Sequence, residues 1–247
     1  MTKQTTMRKY LLISAAALCM VAAPALSQEG CGEGEDYGAY IRGVESGPQG
    51  YSATNPGSTA TGAYQFTLGT LQSMGYISHY SGPISQYFGA GNWDGVVWTG
   101  RDGIRSREQF MANHAAQDRA LAELTQRNLR AVAGTYTPGQ LVNGIPLTQG
   151  GVAAAVHMLG AGGFRRWAAS GFSGSGLDPS IAAAHNWTPE QYNQHLMNRV
   201  AGGGCMDPAD IEIGDDNIAE LQQNFLMPFE SRPGSPVILP GHLVSLL

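Results

Sequence analysis

Apolar and polar positions recur with helical spacing along most of this chain. Tyr37, Tyr40, Ile41 and Val44 fall at i, i+3, i+4 and i+7, one face of a helix. Glu45 follows at its C-terminal end, and Gly47-Pro48 stops it. Thr67 reads as the cap of a short helix with Leu68, Leu71 and Met74 inward, ended by Gly75. Ser106-Arg107-Glu108-Gln109 has the form of a capping box. It opens the longest predicted helix, to about Val132, with Phe110, Leu121, Leu124 and Leu129 for the core. Thr137-Pro138 predicts a brief helix. Thr148 starts an apolar, Ala-rich one over 152–159. Thr188-Pro189-Glu190-Gln191 is a second capping box with Pro at the first helical position. That helix runs to Val200, and Gly202-Gly203-Gly204 ends it. Strand signals are nearly absent. Val96-Val97-Trp98 is too short to count, and residues 51–60 predict at most a small hairpin or an irregular loop. The expected fold is one mainly α domain with little or no β structure.

The N-terminus departs from this pattern. Lys3, Arg8 and Lys9 precede an apolar run over 11–23, the length of a signal peptide and short for a membrane span. Ala23-Pro24-Ala25 and Ala25-Leu26-Ser27 both fit a signal peptidase site, and cleavage after Ser27 is preferred. Cys19 raises a lipoprotein reading, but Leu18 before it is too large for that processing. Residues 1–27 are therefore expected to be a signal peptide, and the mature chain periplasmic or secreted, with no stable membrane span. Without them the chain holds eleven Arg against nineteen acids, a formal net charge of −8, and no Lys. No basic run remains, so nucleic acid is not an expected partner. Cys31 and Cys205 remain, an even pair that in an exported protein most simply forms one disulfide. In the chain-entropy model so long a loop contributes about 4–5 kcal/mol. The domain is expected over 28–205. Residues 206–247 carry seven acids, one Arg and five prolines, a tail rather than a second domain.

The candidate chemistry centres on Glu45. From there to Asp94 the chain has no carboxylate. A carboxylic acid can protonate a leaving oxygen near neutral pH only where its surroundings favour the protonated form. A helix C-terminus disfavours negative charge, and Tyr40 and Val44 precede Glu45. A helix-terminal Glu is more often a solvated surface acid, and the neighbouring residues are what alter that balance.

Glu45-Ser46, then Ala53 and Asn55-Pro56, then Gly62-Ala63-Tyr64-Gln65-Phe66 resemble the lysozyme-like superfamily, and within it the lytic transglycosylases that cut peptidoglycan. Ala154-Ala155-Val156-His157-Met158-Leu159-Gly160-Ala161-Gly162-Gly163 resembles the Ala-rich helix and Gly-rich turn lining that family's cleft. Tyr192 resembles the late Tyr facing the catalytic Glu. The resemblance spans residues 36–201. It departs from the family's Ala-Tyr-Asn-Ala-Gly-Pro-Gly turn, where His157 stands in place of a Tyr and the Asn is lost.

The resemblance implies Glu45 as the acid/base. It implies Ser46, Tyr64, Gln65, Phe66, His157 and Tyr192 as substrate contacts, glycan strands as partner, and no cofactor. Glu45 would protonate the leaving oxygen while the substrate's N-acetyl group attacks the anomeric carbon. Glu45 would then take the C6 hydroxyl proton as a 1,6-anhydro ring closes. An inverting, hydrolytic lysozyme using Asp94 or Asp102 to hold a water is the nearest alternative. A non-catalytic glycan-binding scaffold is the alternative of another class.

Among aromatic candidates for sugar stacking (Tyr64, Phe66, Tyr76, Tyr80, Trp93, Trp98), Tyr64 and Tyr80 are preferred, since most buried aromatics are simply core. The six His form no metal motif; His114 and Asp118 sit one helical turn apart, but a pair is not a ligand set. Gly171-Phe172-Ser173-Gly174-Ser175 lacks the final Gly of a nucleophile elbow. The tail predicts a helix over 215–225 that docks on its own domain or on a partner; the resemblance to specialised transglycosylases makes an envelope secretion or conjugation apparatus the candidate partner, and a disordered terminus is the bland alternative.

Overall fold

A computed structural model describes residues 36–211. The fold is mainly helical. Among the described residues seven α-helices run in order: α1 Tyr37–Glu45, α2 Leu68–Ser73, α3 Arg107–Ala112, α4 His114–Val132, α5 Gln149–Ala169, α6 Pro179–Ala184 and α7 Pro189–Gly202. Two small antiparallel sheets accompany them: β1 Ile77–Tyr80 with β2 Val96–Trp98, and β3 Leu141–Val142 with β4 Ile145–Pro146. The predicted signal peptide, Cys31 and the predicted tail helix over 215–225 lie outside the described residues. Among the described residues no helix is long and apolar enough to cross a membrane.

Caps set most helix starts. Asp36 accepts from the amides of Gly38 and Ala39 at the head of α1. Thr67 accepts from Thr70, and Thr188 with Gln191 forms a reciprocal capping box at α7.

Four expectations need correction. The expected long helix from Ser106 is two. Asn113 leaves helical geometry at φ −98°, ψ 90°, and its side chain caps the Ala116 amide, so α4 starts afresh. The Gln109 side chain also reaches the Arg105 amide rather than that of Ser106, so the box there is incomplete. Residues 96–98 do form a strand. Its partner β1 follows buried Tyr76, and Trp98 packs on Trp93, so tertiary packing stabilises a segment too short to signal itself. After Thr137-Pro138 the chain turns into a hairpin rather than a helix. Asn143 and Gly144 occupy its tip at φ 52° and 79°, the Asn-Gly pairing that a two-residue hairpin requires.

α5 is the central element, packed against both α4 and α7. Its N-terminal half, Val152 to Val156, is wholly buried. Gly150 and Gly151 allow that approach: a Cβ at either position would strike the backbone of Gly203 and Met206, or of Val200. Gly160, at φ 64° and ψ 165°, interrupts α5 before it resumes toward Trp167. Trp167, Phe164 and Phe172 meet edge to face, and Trp167 Nε1 donates to Asn193 Oδ1 at 2.7 Å.

Candidate active site

The geometry begins at the end of α1. Ser46 caps that helix, its hydroxyl donating to the Arg42 carbonyl at 3.0 Å, and so satisfies one of the helix's last carbonyls. A cleft of about 200 Å³ opens there. Glu45, Ser46, Gln49, Thr54, Asn55 and Gln65 line its polar parts. Among the lining residues Glu45 alone carries a carboxylate.

The turn over 62–66 is keyed to the α3–α4 junction by one buried side chain, Gln117. Its Oε1 accepts from the Ala63 amide at 2.8 Å. Its Nε2 faces the carbonyls of Tyr51, Phe110 and Met111 at 3.2, 3.0 and 3.1 Å. Gly62 is obligatory here: it sits at φ 77°, and a Cβ would collide with the Gln117 carboxamide. Gln65 carries φ 50°, a left-handed conformation uncommon for a side-chain-bearing residue. Its Nε2 donates to the Gly62 carbonyl at 3.0 Å while the residue lines the cleft.

Glu45 is held from α7. Arg199 Nη1 donates to Glu45 Oε1 at 2.6 Å, with the two side chains 7% and 16% exposed respectively. This short, charge-assisted bond is well shielded from water. Arg199 Nε donates to His195 Nε2 at 3.1 Å, and the Arg199 carbonyl accepts from Tyr40. On the α5 side, His157 Nε2 lies 2.9 Å from the Tyr64 carbonyl and 3.9 Å from Glu45 Oε1. A carbonyl only accepts, so Nε2 carries the proton; Nδ1 is buried without a protein partner.

Burial lowers the His157 pKa, opposed by the Glu45 charge and the Tyr64 carbonyl. With the folded value below the ordinary 6.5, the unfolded state binds the proton more readily. Its stabilising contribution is present above that value and is lost as pH falls through the folded one. Thermal midpoints should therefore drop on acidification below about pH 6.5, less steeply in a His157→Gln variant. Equal slopes in the two proteins would remove His157 from the acid response.

A second network braces α1. Asp118 Oδ1 accepts from Tyr64 Oη at 2.6 Å and Tyr51 Oη at 2.9 Å. Arg42, one turn before Glu45, donates to Tyr51 Oη at 2.8 Å. Tyr51 also stacks on His114 at 3.9 Å between ring centroids. Burial raises the Asp118 pKa, against both tyrosine hydroxyls and Arg42.

The structure therefore divides the expected contacts. Glu45, Ser46 and Gln65 share the cleft, with Ala53 and Asn55-Pro56. His157, on α5, lies 3.9 Å from Glu45 Oε1 and does not line the cleft. Tyr64 and Phe66 are 1% exposed and belong to the core, so neither offers a free face to a sugar. Tyr64 instead ties Asp118 to α1. Tyr192 is fully buried against Trp187, and its hydroxyl has no protein partner. Tyr80 is half-buried on β1, edge-on to Tyr87, and does not line the cleft. Asp94 bonds Asn92, and Asp102 accepts from Tyr76 Oη at 2.6 Å; neither lines the cleft. Arg199 and His195 escaped the sequence reading. Their spacing puts them on one face of α7, but nothing in it points to α1.

Among the described residues, no group of three or more His, Cys, Asp or Glu side chains is placed to hold a metal ion. No family model, curated protein or solved structure matches the chain.

Proposed function

We propose that this chain is an exported enzyme that cleaves peptidoglycan glycan strands, of the lytic transglycosylase type, with Glu45 as acid and base. The observation that carries the reading is the position of Glu45: the one carboxylate on a polar cleft, at a helix end, beside Gln65 on a strained turn. A retaining enzyme with its own nucleophile needs a second carboxylate about 5 Å away, and an inverting one needs a water-holding carboxylate about 6.5–9.5 Å away. With Asp94 and Asp102 away from the cleft lining, the substrate's N-acetyl oxygen is the better nucleophile. Oε1 already accepts from Arg199, so Oε2 is the oxygen to deliver the proton. The resulting carboxylate then takes the C6 hydroxyl proton as O6 closes on the anomeric carbon and displaces the N-acetyl oxygen.

The Arg199–Glu45 pair favours a second reading. Arg199 Nη1 already occupies Glu45 Oε1 at 2.6 Å, and a carboxylate held in an ion pair suits a glycan-binding scaffold. A digest of purified sacculi, read by mass spectrometry, separates the readings. 1,6-Anhydro ends are expected. Reducing ends would make the protein a hydrolytic lysozyme. Binding to sacculi without release would favour the scaffold.

The acidic tail, residues 206–247, is proposed to engage an envelope secretion or conjugation apparatus. Its deletion should abolish capture of that apparatus and leave sacculus cleavage intact. Unchanged capture would end that proposal.

A further inference from the structure

We infer that His195 and Arg199 are positioning residues for Glu45, joined in a proton-sensitive chain that aligns the carboxyl only while His195 is neutral. The inference rests on Glu45 as the reacting group of the proposed function.

The chain follows from donor and acceptor chemistry. An Arg Nε can only donate, so the 3.1 Å bond to His195 requires Nε2 to accept. His195 is then neutral, with its proton on Nδ1. The same guanidinium presents Nη1 to Glu45 Oε1 at 2.6 Å. His195 therefore sets the rotation of the planar guanidinium, and the guanidinium sets the carboxyl. Protonating His195 would turn Nε2 into a donor facing a donor and place a second positive charge beside Arg199.

The surroundings make His195 responsive. It is half-buried on α7, one helical turn from Arg199. Trp187 covers it at 4.8 Å between ring centroids, and exposed His185 stacks on Trp187 at 4.5 Å. The charged or titratable groups facing it are Arg199 on α7, Glu45 on α1 and His185 beyond α6. Burial is the largest influence and favours the neutral ring; Arg199 and His185 act the same way, and Glu45 opposes them. His157, on α5, faces Glu45 from another direction and does not touch Arg199's Nε.

The test uses the full mature chain, isotope-labelled, with Arg199→Lys to assign the Arg199 Nε–H resonance. That resonance should be protected at neutral pH and lost as the His195 ring titrates. In His195→Gln the carboxamide oxygen can still accept, and protection should persist into acid. In His195→Ala it should be absent at every pH. If wild type cleaves sacculi, His195→Ala should reduce cleavage about tenfold or more at neutral pH, whereas His195→Gln should stay within about twofold and lose the acid limb. Protection that survives His195 titration in wild type, or equal behaviour of the Gln and Ala variants, would overturn the inference. Should His195→Ala fail to fold, the wild-type and His195→Gln titrations decide. A wild type that cleaves nothing at any pH would remove the enzymatic reading, while the resonance alone still decides whether the chain of contacts is proton-sensitive.

Discussion

Glu45→Gln is expected to lower release of anhydro-ended fragments from sacculi by about 10²–10⁴-fold, the usual range for loss of a general acid/base. The carboxamide keeps an oxygen for Arg199 Nη1, now 2.6 Å from Glu45 Oε1, so the cleft should hold its shape. It has no proton of suitable acidity to give to a leaving oxygen and cannot later take one from the C6 hydroxyl. The change also leaves the Arg199 guanidinium, on a side chain only 7% exposed, without its counter-ion. Removing one partner of a buried pair costs about 3–5 kcal/mol, so rates belong well below the melting transition of the variant. Circular dichroism at the assay temperature supplies that control. A folded Gln variant that releases fragments at the wild-type rate would mean that Glu45 is not the acid.

Gln117→Leu is expected to cost about 3 kcal/mol or more, because its carboxamide accepts from one buried backbone amide and shares its two N–H groups among three backbone carbonyls. Leu nearly matches the volume of Gln but leaves the Ala63 amide and the carbonyls of Tyr51, Phe110 and Met111 with one partner fewer. Each buried polar group left unsatisfied costs about 1–3 kcal/mol, with partial relaxation keeping the sum below the full total. For a chain of this size that loss lowers the thermal midpoint by about 6–12 °C. The turn over 62–66 should loosen with it, so cleavage should fall at temperatures where the variant is still folded. An unchanged midpoint would show that the turn finds its conformation without Gln117.

The two substitutions differ in how visible their sites are from sequence. Glu45 announced itself by isolation: a helix-terminal acid with no carboxylate behind it until Asp94. Gln117 carried no signal, since a polar residue inside a helix usually faces water. Only the packing of α4 against the turn turns it inward. Capping chemistry was likewise legible at Thr67, Thr148 and Thr188, where one side chain satisfies an amide three residues on. It misled at Ser106, because the break at Asn113 depends on where α3 must end to let α4 lie along α5. Asn143-Gly144 was a readable hairpin signal that the neighbouring Thr-Pro obscured. The strand over 96–98 was not readable, since its stability comes from aromatic neighbours distant along the chain.

Local rules thus determined what lies within one helix or one turn: the mainly α character, most of the cap residues, Tyr37 and Ile41 on the buried side of α1 though not Val44, which is exposed, and Glu45 and Ser46 at its end. Contacts between segments separated by tens of residues were decided only by the tertiary structure. Packing drew Tyr64, Phe66 and Tyr192 into the core, because burying a large aromatic ring outweighs leaving its face to solvent. It also brought Arg199, 154 residues away in sequence, against Glu45. A charge pair across such a distance has no periodicity to betray it; it exists because the fold brings Arg199 of α7 beside Tyr40 and Glu45 of α1.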